Sequence, residues 1–262
     1  MIPSAFIDAW KNEAPWQDMA QVEQDLVLCR AIAAVFADPF LSERLAFRGG
    51  TALHKLYLLP PSRYSEDLDL VQRDAGPIGP VLDRLHLVLD PWLGKPRTKQ
   101  KGINSTLVYS MSSEGPPVVP LRLKVEINTR EHGAVHGFVT KRWKVSSRWF
   151  TGSAGVTTYT LDELLGTKLR ALYQRRKGRD LFDMDLGLRH RDANPPRVAE
   201  AFKSYMQAEG HSVSRTELEK NLAEKMEDPD YGMDIRALTV AGEGYDVRAA
   251  GRRISKTLLV LL

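Results

Sequence analysis

The sequence has a single cysteine, Cys29, among its 262 residues, so no disulfide bond can form within the chain. A chain without disulfides suits a reducing compartment, and we expect a cytoplasmic protein. Charges at Asp8, Lys11 and Glu13 are not typical of a secretory signal peptide. Low-complexity tracts are absent, and no apolar run reaches the roughly 18 residues that a membrane-spanning helix needs. The sequence therefore predicts a globular protein that does not enter a membrane.

Positive charge is concentrated in the middle of the chain. The formal net charge is +4, yet residues 121–191 hold 15 lysines and arginines against 7 aspartates and glutamates. Such an excess is typical of proteins that bind polyanions, although it also arises where basic side chains only solvate helix surfaces. The basic side chains that could follow an RNA backbone are Lys95, Arg97, Lys99, Lys101, Lys141, Arg142, Lys144, Arg148 and those within 175–179. Trp143 and Trp149 could either stack on unpaired bases or belong to the core.

The pattern of apolar residues changes near Thr160. Before it, helical segments alternate with strands, which we predict at 45–48, 67–71, 106–111 and 121–128. After it the chain reads as successive helices. Thr160 with Glu163, and Ser214 with Glu217, are capping-box pairs in which each side chain would bind a backbone N–H of the other residue. We predict an α+β fold of two domains, with a mixed sheet flanked by helices in residues 1–159 and a helical bundle in residues 160–262.

The clearest chemical pattern begins with Gly49 and Gly50, which precede a predicted helix. Glycines at a helix N-terminus let the backbone approach a phosphate, and Thr51 would add a hydroxyl donor there. Asp67 and Asp69 follow on a predicted strand, where residues i and i+2 project from one face. Two such carboxylates repel each other unless a cation lies between them, and Mg²⁺ prefers oxygen ligands of this kind. The order and spacing predict a metal-assisted phosphoryl-transfer site.

Three further residues are candidates for the same site. Glu126 is the only acid on the polar face of its predicted strand, so we expect it to be the third metal ligand, although it could instead pair with Lys124. Lys168 lies on the apolar stripe of a predicted helix, where a lysine must either extend to solvent or face a cleft with an anionic partner. Asp183 follows on the next predicted helix.

The combination of a Gly-Gly helix start and a paired-carboxylate strand resembles the nucleotidyltransferase superfamily. A more specific resemblance, to the AbiEii/MenT family of nucleotidyltransferase toxins, covers residues 47–190 and rests on Gly49-Gly50-Thr51, Ser65-x-Asp67-x-Asp69, Lys168 and the segment Arg-Asp-Leu-Phe-Asp at 179–183. This resemblance implies transfer of a nucleoside monophosphate from an NTP to the 3′ acceptor end of tRNA, which blocks translation. It also implies a cognate antitoxin and a link to abortive phage infection.

The resemblance further implies roles for individual residues. It implies that Asp67, Lys168 and Asp183 are required for activity, and with Asp69 they form the expected catalytic set. The strand pattern adds the expected ligands of two Mg²⁺ ions, which are Asp67, Asp69 and Glu126. The residues expected to contact the nucleotide are Gly49, Gly50, Thr51, Ser65 and Lys168. Ser65 is also the expected site of a regulatory phosphorylation. Asp183 either orients Lys168 or acts as a base, and both interpretations stay open.

Two other functions fit part of the pattern. The chain could transfer nucleotides to a small hydroxylated molecule, such as an aminoglycoside, or to a protein. A site for a cationic drug would be acidic, however, whereas the middle of this chain is basic. The chain could also be an inactive nucleotide-binding module, although a module without activity would not need Asp67, Asp69 and Lys168 together.

Overall fold

A seven-stranded mixed sheet organises the fold. The computed structural model describes residues 2–102, 104–240 and 245–262, without the side chain of Lys101. The strands are β1 (Leu45–Arg48), β2 (Asp67–Gln72), β3 (Arg97–Lys101), β4 (Asn104–Ser112), β5 (Pro120–Asn128), β6 (Phe138–Ser146) and β7 (Thr151–Tyr159). Their order across the sheet is β3-β4-β5-β2-β1-β7-β6, with β2 at the centre. Two neighbouring pairs, β2 with β5 and β1 with β7, are parallel, and the others are antiparallel.

Helices surround the sheet and make up most of the chain after Thr160. They are α1 (Ser4–Trp10), α2 (Met19–Ala37), α3 (Pro39–Arg44), α4 (Gly49–Leu56), α5 (Gly79–Leu93), α6 (Leu161–Gln174), α7 (Gly178–Leu188), α8 (Pro195–Ala208), α9 (Arg215–Met226), α10 (Met233–Arg236) and α11 (Val247–Thr257). A search of the described residues finds no helix with the length and apolar character needed to cross a bilayer. The predicted α+β architecture, with a mixed sheet first and helices after it, is confirmed.

Alternation along the strands decides which face of the sheet is buried. In β5, the four apolar side chains Leu121, Leu123, Val125 and Ile127 are buried, whereas the polar residues between them project from the opposite face. α2 and α5 pack against the apolar face. Burial of each apolar side chain contributes about 1.5–3 kcal/mol. A register slip by one residue would exchange the two faces, so this burial fixes the register.

One strand escapes prediction from the sequence. β3 has the sequence Arg-Thr-Lys-Gln-Lys, in which no apolar residue marks a buried face. It forms because its backbone pairs antiparallel with β4, from Arg97 opposite Val108 to Lys101 opposite Asn104. The strands predicted at 45–48, 67–71, 106–111 and 121–128 all exist, and each agrees with the observed bounds to within two residues at either end.

The two predicted capping boxes differ in outcome. At the start of α9, Ser214 and Glu217 form the complete reciprocal pair. At the start of α6, the Thr160 hydroxyl accepts from the Glu163 backbone N–H, but the Glu163 side chain does not return to Thr160. It accepts instead from the backbone N–H groups of Val135 and His136 and from the Tyr205 hydroxyl, at 2.6, 2.9 and 2.7 Å. The second half of this prediction was therefore wrong, because Glu163 ties α6 to a loop and to α8.

The topology brings the predicted site residues to the centre of the sheet. Arg48 at the end of β1 lies opposite Asp69 of β2, and Asp69 lies beside Glu126 of β5. α4 starts directly after Arg48, and α6 packs against both α4 and α7. The packing of these helices places Lys168 in one cleft with Asp67 and Asp69 of β2, although about one hundred residues separate it from them in the sequence. Asp183 lies behind Lys168 and contacts α4 through His54.

Candidate active site

Asp67 and Asp69 project from one face of β2 into a cleft of about 460 Å³. Among the described residues, neither carboxylate has a hydrogen-bond or ion-pair partner. Burial and the charge of Asp69 raise the pKa of Asp67 to about 6, although Lys124 opposes the shift. Burial and the charge of Glu126 likewise raise the pKa of Asp69. Two unpartnered acids with raised pKa values form a place where a cation would be strongly stabilised.

The sequence indicates that Gly49 and Gly50 let the backbone approach a phosphate, but in the structure they also accommodate side chains of the protein itself. Gly49 has a φ of +80°, and a Cβ atom there would collide with the carboxylate of Asp69. A Cβ atom on Gly50 would lie 2.5 Å from a guanidinium nitrogen of Arg63. The glycines therefore make room first for side chains of the protein itself, while their backbone still lines the cleft.

Thr51 and Ser65 form a pair of hydroxyl groups beside the cleft. Thr51 is buried, does not line the cleft, and lies with its Oγ1 2.7 Å from the Oγ of Ser65. Ser65 lines the cleft. The expectation that Thr51 contacts a bound phosphate stays a prediction, and in this structure its hydroxyl shares a hydrogen bond with Ser65.

Lys168 reaches the cleft from α6 and is 7% exposed. Its Nζ lies 3.1 Å from Asp180 and 3.0 Å from Asp183, both on α7 and both fully buried. The sequence left two interpretations open for Lys168, and the one in which it faces a cleft with an anionic partner is correct. The partners, however, are carboxylates of the same chain that hold the ammonium group in place from behind.

Asp183 is the centre of a buried charge cluster rather than a group that faces the cleft. Arg63 donates to both of its oxygens, at 2.6 and 2.7 Å, and His54 Nε2 lies 2.9 Å from it. Burial alone would raise the pKa of Asp183, but the charges of Arg63 and Lys168 outweigh it and hold the pKa well below its usual value. A buried, ionised and fully occupied carboxylate favours the interpretation in which Asp183 orients Lys168.

Sequence reasoning assigned no role to Arg63 or His54, and both side chains are buried in this cluster. Arg63 is 3% exposed and His54 is 1% exposed. Burial lowers the pKa of His54, against the opposing effect of Asp183. The available signal was the presence of Arg63 and His54 within the same short segment as the glycines and aspartates. Their contact with Asp183 spans more than one hundred residues, so no local pattern reveals it.

Further arginines line the cleft that contains Asp67 and Asp69. Arg175 is half-exposed and donates twice to Asp180, at 2.6 and 2.8 Å. Arg48 and Arg170 share the carboxylate of Glu131, at 2.5 and 2.9 Å. The cleft therefore has an acidic floor, formed by Asp67 and Asp69 on β2, and a cationic wall, formed by Lys168, Arg48, Arg170 and Arg175. A metal-bound triphosphate requires this arrangement of charges.

Glu126 lines the cleft but is already engaged. Its carboxylate lies 2.6 Å from Lys124 Nζ and accepts from the amide of Asn104 at 2.9 Å. The pairing with Lys124 that the sequence left open is thus present. Within the described residues, no three histidine, cysteine, aspartate or glutamate side chains stand close enough together to hold a metal ion. A third protein ligand is not assembled in this state.

The basic residues do not form one continuous track. Arg97 and Lys99 lie on β3, whereas Arg142 and Lys144 lie on β6, so the two groups occupy opposite edges of the sheet. The side chain of Lys101 lies outside the described residues.

Both tryptophans pack against other parts of the protein. Trp143 donates to the Cys29 carbonyl and packs against the core. Trp149 packs edge-on against Trp92, with Arg30 over its ring. Of the two interpretations left open for these tryptophans, the packing favours the core role, because both side chains fasten β6 and the loop after it to helices.

Solved structures share this architecture. MenT4, a nucleotidyltransferase toxin from Mycobacterium tuberculosis H37Rv, matches with a TM-score of 0.69 at 16% identity, over 100% of this chain and 91% of that chain. A protein from H. pylori described as a nucleotidyltransferase matches with a TM-score of 0.51 at 18% identity, over 94% of this chain and 95% of that chain. No curated protein sequence matches the chain. The fold is thus that of a nucleotidyltransferase.

The sequence gives the family. The family model described as "Nucleotidyl transferase AbiEii toxin, Type IV TA system" matches residues 30–252, which is most of the chain. The protein belongs to this family of nucleotidyltransferase toxins. The matched segment contains every residue of the cleft described above.

Proposed function

We propose that this protein transfers a nucleoside monophosphate from an NTP to the 3′ acceptor end of tRNA, releases pyrophosphate, and thereby blocks translation. The observation that carries the proposal is the pair of unpartnered carboxylates, Asp67 and Asp69, facing fixed cationic groups across one cleft. The basic surfaces beside the cleft support a polyanionic acceptor over a small cationic one.

The donor set fits Mg²⁺. Magnesium ions in phosphoryl-transfer sites commonly use one or two carboxylates together with substrate phosphates, so Asp67 and Asp69 suffice as protein ligands. Glu126 would join them after Lys124 releases it. The chemistry that such ions supply is neutralisation of phosphate charge and a lower pKa of the acceptor hydroxyl.

The cationic wall has the task of holding the triphosphate. Lys168 would contact the phosphates and stabilise the charge that grows on the leaving pyrophosphate, a role that depends on its exact position. Asp180 and Asp183 restrain its ammonium group from behind, and Arg63 restrains Asp183. The backbone of Gly49 and Gly50 offers N–H groups at the start of α4.

Ser65 is positioned to act as a switch. It lines the cleft two residues before Asp67 and shares a hydrogen bond with Thr51. A phosphate on Ser65 would place up to about two negative charges beside two acids whose pKa values are already raised, and it would compete for the cationic wall. We propose that a cognate antitoxin exploits this position.

The test is transfer of label from each of the four NTPs to purified tRNA in the presence of Mg²⁺. Wild-type protein should label tRNA at its 3′ end, and the Asp67→Asn variant should lose the label. Asp83→Asn, an exposed aspartate on α5, is the matched control and should retain it. Label on an aminoglycoside or a protein without label on tRNA overturns the acceptor, and no transfer to any acceptor overturns the whole proposal.

Expression in a bacterium tests the toxin part separately. Wild-type protein should arrest growth, whereas the Asp67→Asn variant should not. Inhibition of translation is contradicted if growth is unimpaired although soluble wild-type protein accumulates to the same level as the Asp83→Asn control.

A further inference from the structure

A second groove of about 610 Å³ adjoins the cleft on the side of β5 and β4. The two cavities share Glu66, Asp67, Asn104, Lys124 and Glu126. Beyond these shared residues, the groove continues over the polar face of the sheet to Lys99 on β3. Asp67 therefore lies between two binding spaces rather than at the end of one.

The far part of the groove is basic and its charges are unpaired. Lys99 and Arg122 line it, and both are exposed. Arg97 lies two residues before Lys99 on β3, on the same face of the strand. Among the described residues, none of these three side chains has an acidic partner. Unpaired cations along one groove are available for an anionic ligand.

The dimensions suit a short strand of nucleic acid. β3 is three strands from β2, and neighbouring strands lie about 4.8 Å apart, so the groove extends about 14 Å from Asp67. A stacked single strand carries one phosphate per about 3.4 Å, so this length accommodates about four nucleotides. None of the described residues that line the groove is aromatic, so its contacts would be with the backbone rather than with the bases.

The position relative to the cleft suits the acceptor. Transfer of a phosphoryl group requires the attacking and leaving oxygens to lie roughly in line on opposite sides of the phosphorus. The cationic wall of Lys168 and Arg175 lies on the α6 and α7 side of Asp67, where the leaving pyrophosphate belongs. The groove approaches Asp67 from the β5 side, where an attacking hydroxyl belongs.

We infer that this groove binds the phosphodiester backbone of the single-stranded 3′ end of the acceptor RNA, with Lys99 and Arg122 on its phosphates and its terminal hydroxyl directed at Asp67. The inference rests on the proposed function and adds the path of the acceptor to it. A positively charged groove that follows the backbone is the usual means of binding single-stranded nucleic acid.

The opposite edge of the sheet supplies a matched comparison. Arg142 and Lys144 on β6 are exposed, have no acidic partner among the described residues, and lie three strands from β2 in the other direction. The shallow depression near Arg142 shares no residue with the cleft. The two pairs are therefore alike in charge and exposure. They differ in that Arg122 lies on β5, next to β2, and in that only Lys99 and Arg122 line a groove that reaches Asp67.

The experiment compares the double variant Lys99→Glu/Arg122→Glu with Arg142→Glu/Lys144→Glu. The Kd for tRNA is measured by fluorescence anisotropy over a range of salt concentrations, and kcat and KM are measured for tRNA and for NTP. The groove variant should bind tRNA at least about tenfold more weakly, and its plot of log Kd against log salt should lose about one unit of slope per lost phosphate contact. Its KM for NTP should be unchanged. The β6 variant should resemble wild type.

Two results overturn the inference. Either the groove variant binds and labels tRNA like wild type, or the β6 variant loses at least as much affinity. Failure of the proposed function looks different, because wild-type protein would then leave tRNA unlabelled. With wild-type labelling intact, an unaffected groove variant refutes the acceptor path alone.

Discussion

Asp67→Asn should abolish transfer and, at the same time, stabilise the metal-free protein. In the absence of a cation, Asp67 is a partly buried carboxylate beside Asp69 with no direct ion pair or hydrogen bond among the described residues, and the charge of Lys124 only partly offsets the repulsion. Asparagine keeps the shape of the side chain and removes the charge. A site selected for metal binding rather than for stability should become more stable when its repulsion is removed.

The size of the effect follows from the pKa of Asp67, which rises from 3.8 to about 6. An acid whose pKa is higher in the folded protein than in the unfolded chain destabilises the fold once it is ionised. Each pKa unit corresponds to about 1.4 kcal/mol, which sets an upper limit of about 3 kcal/mol. Because Asp67 is partly exposed, solvent screening reduces the expected gain to about 1–2 kcal/mol.

The assay is urea unfolding followed by tryptophan fluorescence in buffer with a chelator. The pH dependence has a definite direction. The loss in free energy of unfolding that ionised Asp67 causes in wild type is complete above the folded pKa of about 6, and it disappears as the pH falls towards 3.8. The variant should therefore be more stable than wild type at about pH 7.5 and equal to it at about pH 4. Mg²⁺ should stabilise wild type and have little effect on Asp67→Asn.

The exposed control Asp83→Asn removes one negative charge without relieving a local repulsion. Its free energy of unfolding should stay within about 0.5 kcal/mol of wild type. The reasoning fails if Asp67→Asn is no more stable than this control at neutral pH. It also fails if the gain persists unchanged at about pH 4, because the charge on Asp67 would then not be its source.

Three other changes probe the rest of the site. Arg63→Met should lower the free energy of unfolding by about 3–5 kcal/mol, because it leaves Asp183 buried without its main partner, whereas Arg44→Met in an exposed ion pair should cost under about 1 kcal/mol in the same urea assay. Ser65→Asp should fold normally by circular dichroism yet lose nucleotide transfer; full activity would contradict the proposed switch. Glu126→Gln should keep a measurable kcat but need more Mg²⁺, as a titration of rate against Mg²⁺ would show, and an unchanged requirement would remove Glu126 from the ligand set.

Much of the fold could be predicted from local patterns. Alternation of apolar and polar residues in 121–128 identified β5 and its buried face, and the break at Gly49 located the start of α4. Ser214 capped α9 as its sequence indicates. β3 could not be found in this way, because it has no apolar face and exists only through pairing with β4.

In the candidate site, too, local patterns identified some features, whereas others depended on tertiary contacts. Asp67 and Asp69 were identifiable because a strand places residues i and i+2 on one face. The sequence also named Lys168 and Asp183 but left the role of Asp183 open. The contacts of Asp183 with Arg63, His54 and Lys168 favour a positioning role, and they depend on how α6 and α7 pack against α4.

The sequence by itself determined the chemical groups of this protein and their local spacing: a Gly-Gly turn into a helix, two carboxylates on one strand face, and a lysine on an apolar helix stripe. Tertiary structure alone decided what surrounds each group. It buried Asp183 and His54, directed Thr51 at Ser65, paired Glu126 with Lys124, and separated the basic residues onto two edges of the sheet. The physical reason is that periodicity specifies which face a side chain occupies, whereas its charge partners come from distant segments that only packing brings together.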